Sequence, residues 1–373
     1  MSTDTPTIDA PTIDAPTIDD GAATDAFVGR LFESALGAMD LFTIGLGSRL
    51  GLYAALQEHG PQTSTELAAH AGVAERYARE WLEQQAVTGI LEVGPGSAAE
   101  RRYTLPEAVV PVLLEPTHPA YLAPLAALVP PLGTLFERLV EVYRTGEGVS
   151  WSEFPAEAVE AQAALNRPAF THELGGWLAA VPEIDERLSA GPSRIADLGC
   201  GGGWSTQALA RRYPEAVVHG FDIDDASIAM ARRSVAGSEV EERVAFEVCD
   251  LAGPADIAYD AATMFEALHD LSHPVQVLTS IRRSLVPGGI LLVADERAAD
   301  TFTAPGDPFE RLFYASSVLV CLPGSLADGG VGTGAAIRPS TVRSYAEQAG
   351  FASCEVAPID SPMFRFYLLR APA

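Results

Sequence analysis

The stretch Ile195-Ala196-Asp197-Leu198-Gly199-Cys200-Gly201-Gly202-Gly203 decides the fold. An apolar run of strand length enters a glycine-rich turn, and Trp204-Ser205-Thr206 opens a helix behind it. Gly199, Gly201 and Gly203 permit φ > 0 and let the backbone approach a ligand closely. A dinucleotide fingerprint would require Gly at 204, where Trp stands.

Working outward, short apolar strands alternate with amphipathic helices: 194–198, 217–222, 244–248, 258–264 and 290–294. That alternation predicts an α/β fold, a Rossmann-like doubly wound parallel sheet with helices on both faces. The second strand ends in Asp222, 19 residues after Gly203. An acid there can accept both ribose hydroxyls of an adenosine. The third leads into Cys249-Asp250-Leu251, where an acid can meet an adenine amino group.

Upstream, Phe27, Leu31, Phe32, Ala35, Leu36, Met39, Leu41 and Phe42 recur at helical spacing. A second helix is read over 50–57. Thr63-Ser64-Thr65-Glu66 has the form of a capping box for a third, and residues 75–88 form a fourth. The runs 90–93 and 102–105 flank the turn Gly94-Pro95-Gly96, so the segment reads as a winged helix. Residues 75–88 carry three Glu against two Arg, an unsuitable face for phosphates, so packing and dimerisation are expected rather than DNA binding. Residues 6–20 repeat PTIDA, PTIDA, PTIDD; Pro at every fifth position blocks helix and ladder alike. The predicted layout is a disordered tail over 1–24, a winged-helix domain over 25–115, a proline-broken helical linker over 116–190 that lines a pocket, and the sheet domain over 191–373.

Composition narrows the function. The formal charge is −26, and all 24 basic residues are Arg. Without Lys, Schiff-base chemistry and a Walker A loop are excluded. Six Asp of the total lie in residues 1–25. The acidity argues against a nucleic-acid partner. No run of 18 apolar residues is present, so no membrane partner is expected. Cys200, Cys249, Cys321 and Cys354 are scattered, which fits a reducing cytoplasm, and no zinc spacing is seen.

The order of D-x-G-x-G-x-G at 197–203, Asp222, Asp250 and Leu285-Val286-Pro287-Gly288-Gly289 resembles the class I S-adenosylmethionine-dependent methyltransferases over residues 190–373. The resemblance implies that Asp197, Gly199 and Gly201 flank the methionyl part of the cofactor and that Asp222 holds the ribose. It implies that Ile223 packs on the adenine, with Asp250 and Leu251 flanking it. An acidic cleft suits a sulfonium cation. With the winged-helix half included, residues 27–373 resemble small-molecule methyltransferases of plant and actinobacterial secondary metabolism, whose N-terminal domain dimerises; a homodimer is therefore expected. The run 314–323 and the glycines that follow it resemble a lid of the actinobacterial branch.

Methyl transfer to a hydroxyl needs alignment and a base. His269-Asp270, just beyond the fourth strand, matches the His-Asp pair where plant-type O-methyltransferases keep their base. Adjacent residues on a helix point apart, so Asp270 is a doubtful orienter for His269. Glu296 is preferred and Glu266 is second. His172 is read as a surface residue. Some related C-methyltransferases hold iron with a later His; none follows His273 here, so no metal is expected. O-methylation of a small, cyclic or aromatic metabolite is the leading expectation. N- or C-methylation, a cofactor-sensing winged-helix regulator, and a scaffold diverted to cyclisation or decarboxylation are the alternatives.

Overall fold

The computed structural model describes residues 20–251 and 258–373. Four helices open the chain: α1 (Asp20–Arg49), α2 (Leu52–His59), α3 (Ser64–Ala71) and α4 (Glu75–Val87). The tail expected over 1–24 lies outside the described residues as far as residue 19, and its last residues are helical, because α1 begins at Asp20. Thr63 and Glu66 form the capping box, the Glu66 N–H donating to Thr63 Oγ1 (3.3 Å) and the Thr63 N–H to Glu66 Oε2 (2.8 Å). Two orphan donors at the start of α3 are thereby satisfied. Strands β1 (Glu92–Val93) and β2 (Tyr103–Thr104) pair antiparallel as the wing. On α4, Arg79 pairs with Glu75 (2.7 Å) and Arg76 with Glu80, so both of its cations already face acids.

The linker is helical. Pro168 was expected to break it, yet the helix Ala156–His172 runs through that position, because a proline removes one N–H without preventing the turns on either side. Pro124 instead begins the helix Ala123–Leu132, where a missing N–H costs nothing.

The C-terminal domain is built on β3 (Ser193–Leu198), β4 (Ala216–Asp222), β5 (Val244–Val248), β6 (Tyr259–Phe265), β7 (Leu285–Glu296), β8 (Ser353–Val356) and β9 (Phe364–Arg370). They form one sheet in the order β5-β4-β3-β6-β7-β9-β8. β3 to β7 are parallel neighbours, as expected. The sheet is not wholly parallel: β9 runs antiparallel to both β7 and β8. Alternate residues of the central strands point to opposite faces. Ile195, Val218 and Leu292 pack on Leu174 and Trp177 on one side, while Ala196, Met264 and Leu291 pack on Leu278 and Ile281 on the other. Both faces are covered, as a parallel sheet demands. Among the described residues no helix is long and apolar enough to cross a membrane.

Candidate active site

The carboxyl ends of β3, β4, β6 and β7 converge, the place where open α/β sheets bind ligands. After β3, Gly199, Gly201 and Gly203 all adopt left-handed backbone, with φ of 69°, 49° and 76°. A Cβ at Gly199 would stand 2.7 Å from Ala267 Cβ, and one at Gly203 would meet the Phe246 ring at 2.7 Å. Both positions therefore exclude any side chain on grounds of space as well as φ.

Asp222 ends β4 and faces this turn. Its Oδ2 accepts the Gly201 N–H (2.8 Å) and its Oδ1 the Asp224 N–H (3.0 Å). Burial outweighs these hydrogen bonds and pushes its carboxyl up. Ile223 is 67 % exposed beside it. Asp250 is exposed and Leu251 half-buried at the edge of the described segment.

Asp197, near the end of β3, is 1 % exposed and points inward. It accepts Ser205 Oγ–H (2.6 Å), Thr206 Oγ1–H (2.6 Å) and Thr263 Oγ1–H (2.8 Å). Burial pushes its carboxyl up despite the three hydroxyls. It ties β3 to the following helix and to β6, so its contribution is to fix the turn.

His269 lies in a 3-10 turn, Leu268–Asp270, beyond β6 and is 2 % exposed. Its Nδ1 contacts Asp295 Oδ1 and stands 2.9 Å from Glu296 Oε2, while its Nε2 stands 3.2 Å from Asp270 Oδ1. The His269 backbone N–H donates to Asp295 Oδ2 (3.2 Å). Burial alone lowers an imidazole's pKa; here Asp270, Asp295 and Glu296 together outweigh it and push His269 well above its usual value. Burial would raise Asp295, but the charge of His269 and hydrogen bonds from Glu296 and His269 hold it below the usual carboxylate value. Burial drives Glu296 well up, with the neighbouring Asp295 adding to it.

Three expectations change. Glu296 is beside the imidazole as predicted, but as the last residue of β7 and not beyond it. Asp270 does reach His269, because the segment is a 3-10 turn and the adjacent-residue rule of an α-helix fails there. Glu266 is not an orienter: its φ of 50° breaks any helix, and it takes a hydrogen bond from Asn166 Nδ2 instead. His172 is exposed, as expected, with Nε2 2.5 Å from the Thr117 carbonyl oxygen.

Residues 195–289 match the methyltransferase domain family, and residues 37–114 match the Rv2258c-like winged HTH domain. The chain thus carries a methyltransferase domain preceded by a winged-helix domain. A trans-aconitate 2-methyltransferase of Methylobacterium nodulans is 41% identical over 109 residues, which cover 28% of this chain and 38% of that protein. The chain thus matches well under half the length of that relative. Human N-acetylserotonin methyltransferase, solved in complex with SAM, superposes with a TM-score of 0.71 at 18% identity, covering 96% of this chain and 100% of that one. Mitomycin 7-O-methyltransferase MmcR gives 0.67 at 22% identity over 94% and 100%. Likeness at that identity reports the fold.

The geometry fits the cofactor of the methyltransferase domain, S-adenosylmethionine. The turn at 199–203 is glycine apart from the buried Cys200, the Asp222 carboxylate stands at the end of the neighbouring strand, and Ile223 presents an open apolar surface beside it. Three residues near His269 escaped the sequence reading. Asp295 looks like an interior strand position, Asn166 lies on the distant linker helix, and Cys321 sits in a π-helical turn, Ser317–Cys321. The ligand atoms of His269, Asp270 and Cys321 lie within 4.8 Å of one another, as do those of His269, Asp295 and Glu296. Burial pushes the Cys321 thiol up to about 12, so it stays neutral.

Proposed function

We propose that this methyltransferase transfers a methyl group to a hydroxyl oxygen of a small, cyclic or aromatic metabolite. The observation that carries the reading is the buried His269, set at the sheet's carboxyl edge between Asp270, Asp295 and Glu296. In this reading Gly199 and Gly201 flank the methionyl part of the cofactor and Asp222 holds its ribose. Ile223, Asp250 and Leu251 bound the adenine. When bound, the cofactor supplies an electrophilic methyl group on a sulfonium.

The chain's own residues supply the rest. Asp295 receives Nδ1–H and fixes the ring, leaving Nε2 as the atom that takes the acceptor's proton. Asp270 competes for Nε2 and must yield as the hydroxyl arrives. The Glu296 backbone N–H donates to Asp295 Oδ1 (3.1 Å) and keeps that carboxylate from drifting. A second copy of the chain is the partner of the exposed α1.

The test is His269→Ala. Cofactor affinity by calorimetry should be unchanged, while turnover falls by about 10² to 10⁴, the range of a lost general base. Mass spectrometry and NMR of the product should show one added methyl on oxygen. Unchanged turnover, or a methyl on nitrogen or carbon, overturns the O-methyl reading.

A further inference from the structure

Glu266 has no part in that proton transfer, yet the fold constrains it heavily. It is a non-glycine residue with φ of 50°, at the carboxyl end of β6. Such backbone is strained and survives only where its surroundings enforce it. Two neighbours do so. The next residue, Ala267, lies against Gly199 of the cofactor turn. Asn166, from the helix Ala156–His172, donates to Glu266 Oε2, and the same helix rests Ala163 against Gly202. Glu266 is therefore set between the cofactor turn and the His269 group, with one oxygen, Oε2, held by Asn166.

The charges that act on it are His269 on one side and Asp270 and Asp295 on the other. Asp270, Asp295 and Glu296 contact the imidazole, while burial pushes Glu266 up to about 7 and Glu296 well above its usual value. A ligand carboxylate brought here meets the buried Asp295, held ionised beside His269, as a like charge. A hydroxyl or an ammonium meets an acceptor already oriented by Asn166.

We propose that Glu266 anchors the acceptor by taking a proton-donating or cationic group of it, a second hydroxyl or an ammonium, so that the acceptor is a neutral or cationic polyhydroxy or amino-hydroxy molecule and not a carboxylate. This rests on the transferase reading for the word acceptor, but its test is binding. Asn166 is the positioning residue.

The experiment is calorimetry of the full chain saturated with the demethylated cofactor, using three probes that share a dihydroxy ring: dopamine, 4-methylcatechol and 3,4-dihydroxyphenylacetate. Dopamine should bind at least about tenfold more tightly than the acid, with the neutral probe between them. Glu266→Gln should narrow that gap to about twofold while leaving cofactor affinity unchanged. Asn166→Ala should weaken dopamine and not the cofactor. The proposal is overturned if the acid binds as well as dopamine, if the gap survives Glu266→Gln, or if dopamine fails to bind at millimolar concentration. A chain that binds the probes in this order but forms no methylated product keeps the anchor and loses the transferase reading. A chain that methylates the acid as readily as the amine loses the anchor alone.

Discussion

His269 has a carboxylate at each ring nitrogen, and this sets the pH behaviour of the site. Its pKa in the folded chain is raised above the ordinary value near 6.5, so the imidazole is cationic at neutral pH and becomes a proton acceptor only as pH rises through the raised value. Turnover should therefore climb on the alkaline side of 6.5. Asp270 is one of the charges that raise it, so Asp270→Asn should shift the climb to lower pH. A limb that stays in place in that variant removes His269 as the base. Stability runs the other way. A raised pKa contributes stability that is complete below the unfolded value and is lost as pH rises through the folded one. Thermal stability should thus fall over the window in which turnover grows, and less so in Asp270→Asn. His269, Asp270 and Glu296 were readable because they follow apolar strands directly. Asp295 was not, since a buried strand position normally carries an apolar side chain. Asn166 and Cys321 come from distant segments, and no local pattern brings them to the site.

Among the elements, the turn after β3 separates two effects that glycine substitution usually mixes. Gly199 and Gly237 both have left-handed backbone, with φ of 69° and 74°. A Cβ at Gly237 meets nothing within 4 Å, whereas one at Gly199 strikes Ala267. Gly237→Ala should cost only the strain, about 1 to 2 kcal/mol in chemical denaturation, with cofactor affinity intact. Gly199→Ala should carry the same strain and also displace the segment that holds Glu266 and His269, weakening the cofactor by about tenfold or more. Equal cofactor affinity in the two variants would detach Gly199 from the site. The five parallel strands were legible because each is a bounded apolar run and most are followed by an amphipathic helix. β9, Phe364-Arg365-Phe366-Tyr367-Leu368-Leu369-Arg370, was not. It is buried on both faces, so it lacks period-two alternation, and a short apolar run of that kind has no signature that separates strand from helix. Its antiparallel course depends on pairing with β7, which only the assembled sheet reveals.

In the whole molecule, α1 is the feature the single chain leaves unsatisfied. Its C-terminal part is anchored: a Cβ at Gly45 would stand 2.4 Å from the Ala126 carbonyl oxygen, and one at Gly47 would strike Trp81 and Tyr53. Its earlier part projects Phe27, Leu31 and Phe32, each 62 % exposed, together with Met39 at 65 %. Soluble monomers rarely expose such a contiguous apolar face, and a helix without packing is marginal in water. A second copy related by a two-fold axis would cover each helix with its equivalent. Light scattering at micromolar concentration should give twice 39.3 kDa, and Phe32→Asp should return the mass to 39.3 kDa while cofactor affinity persists. The charge sharpens the test. Each chain carries −26, so two copies repel one another and the contact between them must be apolar. Added salt screens that repulsion and leaves apolar contact in place. The dimer should therefore tighten from low to moderate ionic strength; a dimer that loosens with salt would be held by ion pairs elsewhere, and α1 would lose its claim to the interface.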